Sequence, residues 1–238
     1  MKAMASFVQI TNGPEYWSAN HSIPRHRHAQ AYAAIVVSGN YEECGDRGRF
    51  RVGPGDVLLH QAFDAHLDRF QHRGAQILNL VVAGLAPSFS IGYACDPDAI
   101  ARAIERDPVE AGAHLCEQVL ETNRAPEDWP DILACDLMND PDCRLDGWAR
   151  QHGLAAETVS RGFGKVFGVT PASFRKEVRV RRAFALIVGS DAPLASIAVA
   201  TGFADQAHMS RATRALTGSP PCAWRRSNPF KTDKANSG

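Results

Sequence analysis

No segment of this 238-residue chain approaches the roughly 18 consecutive apolar residues of a membrane-spanning helix; Ala31 to Val37 is among the longest apolar runs. The opening stretch, MKAMASFVQITNGPEYW, lacks the apolar core and small-residue cleavage site of an export signal. Cysteine is sparse and scattered, six in all at 44, 95, 116, 135, 143 and 222, with no C-x-x-C pair. That excludes a disulfide scaffold and a paired-cysteine zinc knuckle, and the expectation is a cytoplasmic chain with reduced thiols and no membrane partner. Also missing are a Gly-x-Ser-x-Gly elbow, a phosphate-cradling glycine loop and an acid/base pair of distinctive spacing. No reaction is specified, so the chain is read as a non-enzyme.

Net charge is missing as well, with 26 basic against 26 acidic residues. The zero is a cancellation. Residues 1–143 hold 11 bases and 20 acids, a net of −9, whereas residues 144–238 hold 15 bases and 6 acids, a net of +9. Opposed halves point to an acidic domain joined to one that faces nucleic acid. The same asymmetry raises the expectation that the acidic half contacts the basic half when DNA is absent.

Hydrophobic periodicity divides the chain further. From residue 7 to about 90, short apolar runs such as AYAAIVVSG and AQILNLVVAG, each ended by glycine, predict strands. GRFRVGPGDVLLH places a turn at Gly53-Pro54-Gly55-Asp56 between two more. Many short strands with such punctuation predict a sandwich or barrel. From Asp96 to about Glu121, Ile100, Ala103, Ile104, Leu115, Val119 and Leu120 recur at helical spacing, predicting one or two amphipathic helices. Thr122 to Asp142 reads as a linker around a short helix at Ile132 to Met138, its carboxylates Asp128, Asp131, Asp136, Asp140 and Asp142 forming a solvated face.

After Arg144 the pattern is helical to about Arg226, and two segments share one plan: Leu145 to Pro171 and Pro193 to Pro220. Each reads as a short helix, a glycine-containing turn and a longer helix ending at glycine, the plan of a helix-turn-helix whose second helix enters the major groove. In the first copy that helix is about Ala156 to Phe167, with Val159, Phe163 and Val166 inward and Glu157, Ser160, Arg161 and Lys165 outward. In the second it is about Asp205 to Thr217, with Met209, Ala212 and Leu216 inward and Gln206, Ala207, Ser210, Arg211 and Arg214 outward. Arg and Gln read guanine and adenine bidentately, and Ser is permissive. Lys165, Arg214 and the cluster Arg175, Lys176, Arg179, Arg181 and Arg182 are expected to meet phosphates.

Residues 144–226 resemble the DNA-binding domain of the AraC/XylS family of transcription regulators. The resemblance rests on Ile197-Ala198-x-x-x-Gly202-Phe203-x-Asp205-Gln206-x-x-x-Ser210-Arg211-x-x-Arg214, on Gly218-x-x-Pro221 with Trp224-Arg225, and on Arg161-x-Phe163 with Gly168-Val169-Thr170-Pro171. The segment Arg179 to Ile187 is similar to the family's linker helix. The family usually places phenylalanine where Thr213 stands, which implies looser packing of the second recognition helix. Gly162 and Gly164 inside the first recognition helix, each costing about 1 kcal/mol relative to alanine, predict fraying without DNA.

In the acidic half, Ile23-Pro24-Arg25-His26-Arg27-His28-x-x-x-Tyr32 through Gly39 resembles the first cupin motif, and Gly48 through Pro54-Gly55-Asp56 to His66 the second. His26 and His28, two apart on a strand, aim at one face. Two readings stand. In one, His26, His28, Tyr32 and His66 line a polar effector pocket. In the other, His26, His28 and His66 ligate a divalent metal (zinc, iron or nickel), although Tyr32 stands where metal-binding cupins usually place a glutamate. His60 and His72 read as surface or strand positions.

The predicted architecture is therefore multidomain. It comprises an all-β cupin-like barrel that senses an effector (1–95), a helical dimerisation and linker segment (96–143), and an all-α domain with two helix-turn-helix motifs (144–238). The resemblance implies double-stranded DNA, a small-molecule effector, a second copy of the chain and RNA polymerase as partners. The alternative is a metal-binding cupin sensor or metalloenzyme fused to a DNA-binding domain.

Overall fold

A computed structural model describes residues 6–82 and 89–226. The last two residues of AQILNLVVAG and everything after Arg226 lie outside the described residues. Strands come first: β1 (Ser6–Phe7), β2 (Gly13–Trp17), β3 (Ser22–Arg27), β4 (Tyr32–Gly45), β5 (Gly48–Val52), β6 (Asp56–His60), β7 (Ala65–Val81) and β8 (Ile91–Ala94). Two helices follow, α1 (Pro97–Arg106) and α2 (Pro108–Gln118), then a short strand β9 (Val119–Glu121). The remainder is helical: α3 (Trp129–Asn139), α4 (Leu145–Gln151), α5 (Ala156–Phe167), α6 (Pro171–Gly189), α7 (Leu194–Ala200), α8 (Gln206–Thr217) and α9 (Pro221–Arg226).

The described strands form one sheet in the order β1-β3-β7-β4-β6-β8-β9, with β2 added to β7 and β5 to β4. Gly39, expected to end a strand, does not end it, and Gly84 lies outside the described residues. β4 runs through Gly39 and β7 through Gly74, with register shifts around Gly39. There each long strand changes its outer partner. The first half of β4 pairs with β6 and the second with β5; the first half of β7 pairs with β3 and the second with β2. A bulge adds twist and bends a strand, so the sheet closes over an interior. The Gly53–Asp56 turn joins β5 to β6 as expected, closed by Asp56 N–H to the Gly53 carbonyl at 3.0 Å.

Alternation places β4 between two cores. Ala34 and Val36 turn inward with Tyr32, Tyr41, Phe70 and Ile77. Ala33 and Ile35 turn outward with Leu78 and Leu80, where Ile100 and Ile104 of α1 and Ala111 and Leu115 of α2 cover them. Asp96 and Asp107 cap the two helices by accepting backbone N–H groups, each followed by proline at the first helical position. Val119 and Leu120, expected on a helix, instead extend the sheet by pairing β9 with β8. Asp131 departs from the solvated-face expectation: it is buried and accepts from Arg49 at 2.8 Å.

The chain divides into two compact units, 1–135 with 146–171, and 136–145 with 172–238. The first helix-turn-helix, α4–α5, is thus part of the barrel's unit, while α6 to α9 form the other.

In the second unit, Ile197 and Ala198 are buried and Gly202 takes φ 74°, a left-handed turn that glycine adopts without steric cost. Asp205 caps α8 by accepting the His208 N–H. Thr213 is fully buried, so α8 packs tightly despite the missing phenylalanine, but its hydroxyl has no hydrogen-bond partner. Thr213→Val removes an unsatisfied buried polar group of nearly the same shape. It is expected to stabilise this unit by about 1 kcal/mol, read as a higher urea midpoint at unchanged m-value.

Candidate functional site

Two sets of residues carry chemistry: the exposed faces of α5 and α8, and a buried polar chamber inside the barrel.

On α5, Val159, Phe163 and Phe167 are buried, and Glu157, Ser160, Arg161 and Lys165 are exposed. On α8, Met209, Ala212 and Leu216 are buried; Gln206, Ala207, Arg211 and Arg214 are exposed, and Ser210 is half-buried. Every side chain expected to face DNA therefore reaches solvent. The helix is continuous, and Gly162 lies beneath the Trp129 indole. A Cβ at Gly162 would come within 2.4 Å of that ring. The glycine is a packing requirement.

Three arginines of the basic cluster on α6 bond to the chain itself. Arg175 donates to the Cys143 carbonyl, Arg179 to the Pro141 carbonyl and the Asp142 carboxylate, and Arg182 to the carbonyls of Met138 and Asn139. These arginines tie α6 to the end of α3 and the loop after it. Cations at a helix C-terminus offset its exposed carbonyls and the negative end of its dipole.

A similar arrangement holds the end of α5. Arg69 on β7 donates to the carbonyls of Lys165 (2.7 Å) and Val166 (3.0 Å), and Arg25 on β3 donates to that of Phe167 (3.3 Å). Arg25 also pairs with Asp46, whose second oxygen accepts the Ala65 N–H at 2.7 Å. Strand alternation then matters: Arg25 and Arg69 face α5, while their neighbours His26 and Asp68 line the chamber.

In the chamber, His26 lies directly opposite His66 in the β3–β7 register. Ring centroids are 4.3 Å apart for His26–His66, 4.9 Å for His26–His28 and 5.5 Å for His28–His66. Tyr32 completes the expected set, its hydroxyl 3.4 Å from His66 Nε2 and its ring 4.8 Å from that of His28. The sequence reading missed three members. His60, read as a surface or strand position, is on β6 but buried, stacked on Tyr32 at 4.3 Å. Glu43 places Oε2 3.4 Å from His60 Nε2, and Asp68 places Oδ2 3.7 Å from His66 Nε2. The spacing His66-x-Asp68 carried a signal for Asp68, since residues two apart on a strand share a face. His72 is exposed.

Burial sets the protonation of this group. It holds His26 below the ordinary imidazole range, His28 down to about 4, and His60 and His66 well below; repulsion among the rings adds to the effect for His28, His60 and His66. Burial also raises Glu43 and Asp68 well above the usual carboxylate range, and the two lie side by side across β4 and β7. Neutral imidazoles and protonated carboxyls are thus favoured. Beside them is a cavity of about 170 Å³ whose other wall is apolar, from Ile10, Trp17, Ile23, Phe70 and Ile77.

The C-terminal geometry defines a class: a DNA reader with two helix-turn-helix units joined by a long helix. Residues 148–227 match the family described as "Helix-turn-helix domain", and this region is a DNA-binding domain of the AraC/XylS type. It is 31% identical over 78 residues to the HTH-type transcriptional regulator ExsA of Pseudomonas aeruginosa, covering 33% of this chain and 28% of ExsA. It is 29% identical over 82 residues to the virulence regulon transcriptional activator VirF of Yersinia enterocolitica, covering 32% and 30%. The match spans less than a third of these curated relatives. Among solved structures, unsaturated-fatty-acid-bound ToxT from Vibrio cholerae aligns with TM-score 0.44 at 8% identity, over 94% of this chain and 97% of ToxT. No helix among the described residues is long and apolar enough to cross a membrane.

Proposed function

We propose that this chain is an effector-responsive, sequence-specific transcription regulator that binds double-stranded DNA through α5 and α8. The observation that carries the reading is the pair of helix-turn-helix units, each presenting a row of solvent-reaching, mostly polar and basic side chains on its second helix. Glu157, Ser160, Arg161 and Lys165 form the first row; Gln206, Ala207, Ser210, Arg211 and Arg214 form the second. The barrel cavity, with His26, His28, Tyr32 and His66 at its polar end, takes the effector. The domain plan of 1–95, 96–143 and 144–238 goes with this reading, with residues 146–171 packed into the barrel's compact unit. A second copy docks on the solvent face of α1 and α2, whose apolar face is already used on the sheet. The chain works in the cytoplasm, recruits or blocks RNA polymerase, and catalyses no reaction.

The response has a physical path. β3 and β7 carry chamber residues on one side and the arginines that grip the end of α5 on the other. An effector that shifts these strands changes the grip, by no more than its difference in affinity for the two arrangements.

Selection of binding sites from random duplex DNA, followed by titration of variants, tests the reading. Arg211→Ala is expected to relax preference at one base position by about 1–3 kcal/mol. Lys165→Ala is expected to weaken all sequences alike and to lower the salt slope by about one counterion. If Arg211→Ala leaves affinity and preference both intact, α8 is not the reading helix.

A further inference from the structure

We infer that Trp129 is a positioning residue for DNA reading. Its indole seats α5 on a segment fastened to the barrel, so α5 reads DNA as part of the barrel's unit, whereas α8 reads without that support. The inference rests on the reading of α5 as a DNA-contacting helix, and names what sets its geometry.

α5 is a weak helix by itself. Gly162 and Gly164 stand in its interior, where glycine is among the poorest helix formers, and Ala155 at its start makes no side-chain capping bond. α8 has neither weakness: its sequence holds no glycine, and Asp205 accepts the His208 N–H at 2.6 Å. Tertiary contacts must give α5 what its own residues do not.

Gly162 shows where one such contact acts. Its backbone is not left-handed, so no conformational need explains glycine there. The reason is room: a Cβ would lie 2.4 Å from Trp129 Cζ2 and 2.7 Å from Cη2. The indole therefore lies against the α5 backbone itself. Its ring is also 6.3 Å from that of Trp148 on α4, within the range of an aromatic pair. One side chain thus meets both helices of the first helix-turn-helix.

The neighbours of Trp129 hold it to the barrel. Arg49 on β5 donates to Asp128 and to Asp131, each at 2.8 Å, and Asp131 also accepts the Glu127 N–H at 3.0 Å. Arg51 on the same strand pairs with Glu127 at 3.1 Å. The side chains of Arg49 and Asp131 are only 8% and 6% exposed, so salt screens their pair little. The other docking point is the end of α5, gripped by Arg25 and Arg69. There Gly168 makes room for Leu67, whose Cδ2 a Cβ would approach to 2.9 Å. Held at its middle and its end, α5 keeps Ser160, Arg161 and Lys165 exposed. Binding side chains discriminate only when their geometry is fixed to about 0.5 Å.

A purely structural role for Trp129 predicts something different. Lost packing lowers the active fraction for every DNA sequence alike. Lost positioning relaxes preference only at the bases α5 reads.

Full-length variants are titrated on duplexes selected with the unsubstituted chain, with concentrations corrected for DNA-active fraction. Arg161→Ala marks the base positions read by α5, and Arg211→Ala those read by α8. Trp129→Ala is expected to lower discrimination at the Arg161 positions about fivefold or more, the low end for one direct contact, and to leave the Arg211 positions within about twofold. Trp129→Phe, which keeps an aromatic ring, restores most of it. Gly162→Ala separates the alternatives by sign. Alanine is the better helix former, so an independent α5 would read better, whereas a Cβ against the indole predicts the same loss as Trp129→Ala. Faster amide exchange across residues 157–167 accompanies both variants. Urea curves verify folding, and Trp129→Leu replaces an alanine chain that does not fold. Unchanged discrimination at the Arg161 positions in Trp129→Ala, improved discrimination in Gly162→Ala, or equal loss at both sets of positions overturns the inference. Arg161→Ala without effect at any position removes α5 from DNA reading, and the inference with it, while leaving α8 in place.

Discussion

Asp46→Ala is expected to destabilise the barrel unit by about 3–5 kcal/mol, a large share of the roughly 5–15 kcal/mol that holds a domain folded. Asp46 has two duties in the same buried place. One carboxylate oxygen pairs with Arg25, whose side chain is only 6% exposed, and the other accepts the Ala65 backbone N–H at 2.7 Å. Alanine takes away both. The guanidinium loses a buried ion-pair partner where water cannot replace it, and a strand N–H loses its acceptor. Asp46→Asn keeps an acceptor and is expected to cost less than the alanine variant. The consequence reaches α5, because Arg25 also donates to the Phe167 carbonyl. Urea denaturation of the purified variant gives the stability, and amide exchange at residues 165–168 reports the end of the helix. A loss below about 1 kcal/mol, the scale of an exposed ion pair, would mean that Arg25 reaches solvent and that the pair does not anchor the recognition helix.

Gly39→Ala is expected to exceed about 4 kcal/mol, enough to leave most of the chain insoluble on expression. Gly39 sits at φ 76°, which costs an L-residue about 1–2 kcal/mol by itself. The larger part is collision. A Cβ there would lie 2.1 Å from the Gly74 carbonyl oxygen and 2.8 Å from the Ala75 Cα, both backbone atoms that cannot rotate away. Gly74 is itself left-handed and presses on the Trp17 carbonyl in the same manner. These two glycines let β4 and β7 cross through the bend at which each exchanges its outer partner. Gly153→Ala isolates the conformational part, since Gly153 has φ 65° and nothing within 4 Å of its would-be Cβ. It is expected to lose only about 1–2 kcal/mol. Equal losses at the two positions would show that the bend tolerates a side chain and that the closeness of β4 to β7 is not essential.

The two halves differed in how much the sequence disclosed. A helix-turn-helix is built from contacts a few residues apart, so Val159, Phe163, Met209 and Leu216 revealed the buried faces, and glycine marked the ends of α5 and α8. The packing reason for Gly162, Trp129, lies 33 residues away and has no local signature. The basic face of α6 hides long-range partners in the same way. Arg175, Arg179 and Arg182 have the spacing of a phosphate-binding surface, and only their carbonyl partners show that they hold the chain to itself. The opposed net charges raised the expectation that the acidic half contacts the basic half when DNA is absent. Within the barrel's unit, Arg25 and Arg69 of the acidic half grip backbone carbonyls of the basic half.

By itself the sequence determined the class of the C-terminal domain, the residues on the exposed faces of α5 and α8, the strand-rich character of the N-terminal part, and His26, His28, Tyr32 and His66 as one group. These are properties of local period and spacing, which the chain carries wherever it folds. Tertiary structure alone decided that Glu43, His60 and Asp68 join that group, that β4 runs through Gly39 instead of ending there, and that α5 is held by the barrel. The physical reason is strand pairing. The β4–β6 and β4–β7 registers set Tyr32 beside His60 and Glu43 beside Asp68. Such registers depend on long-range closure of the sheet, about which no local run of residues carries information.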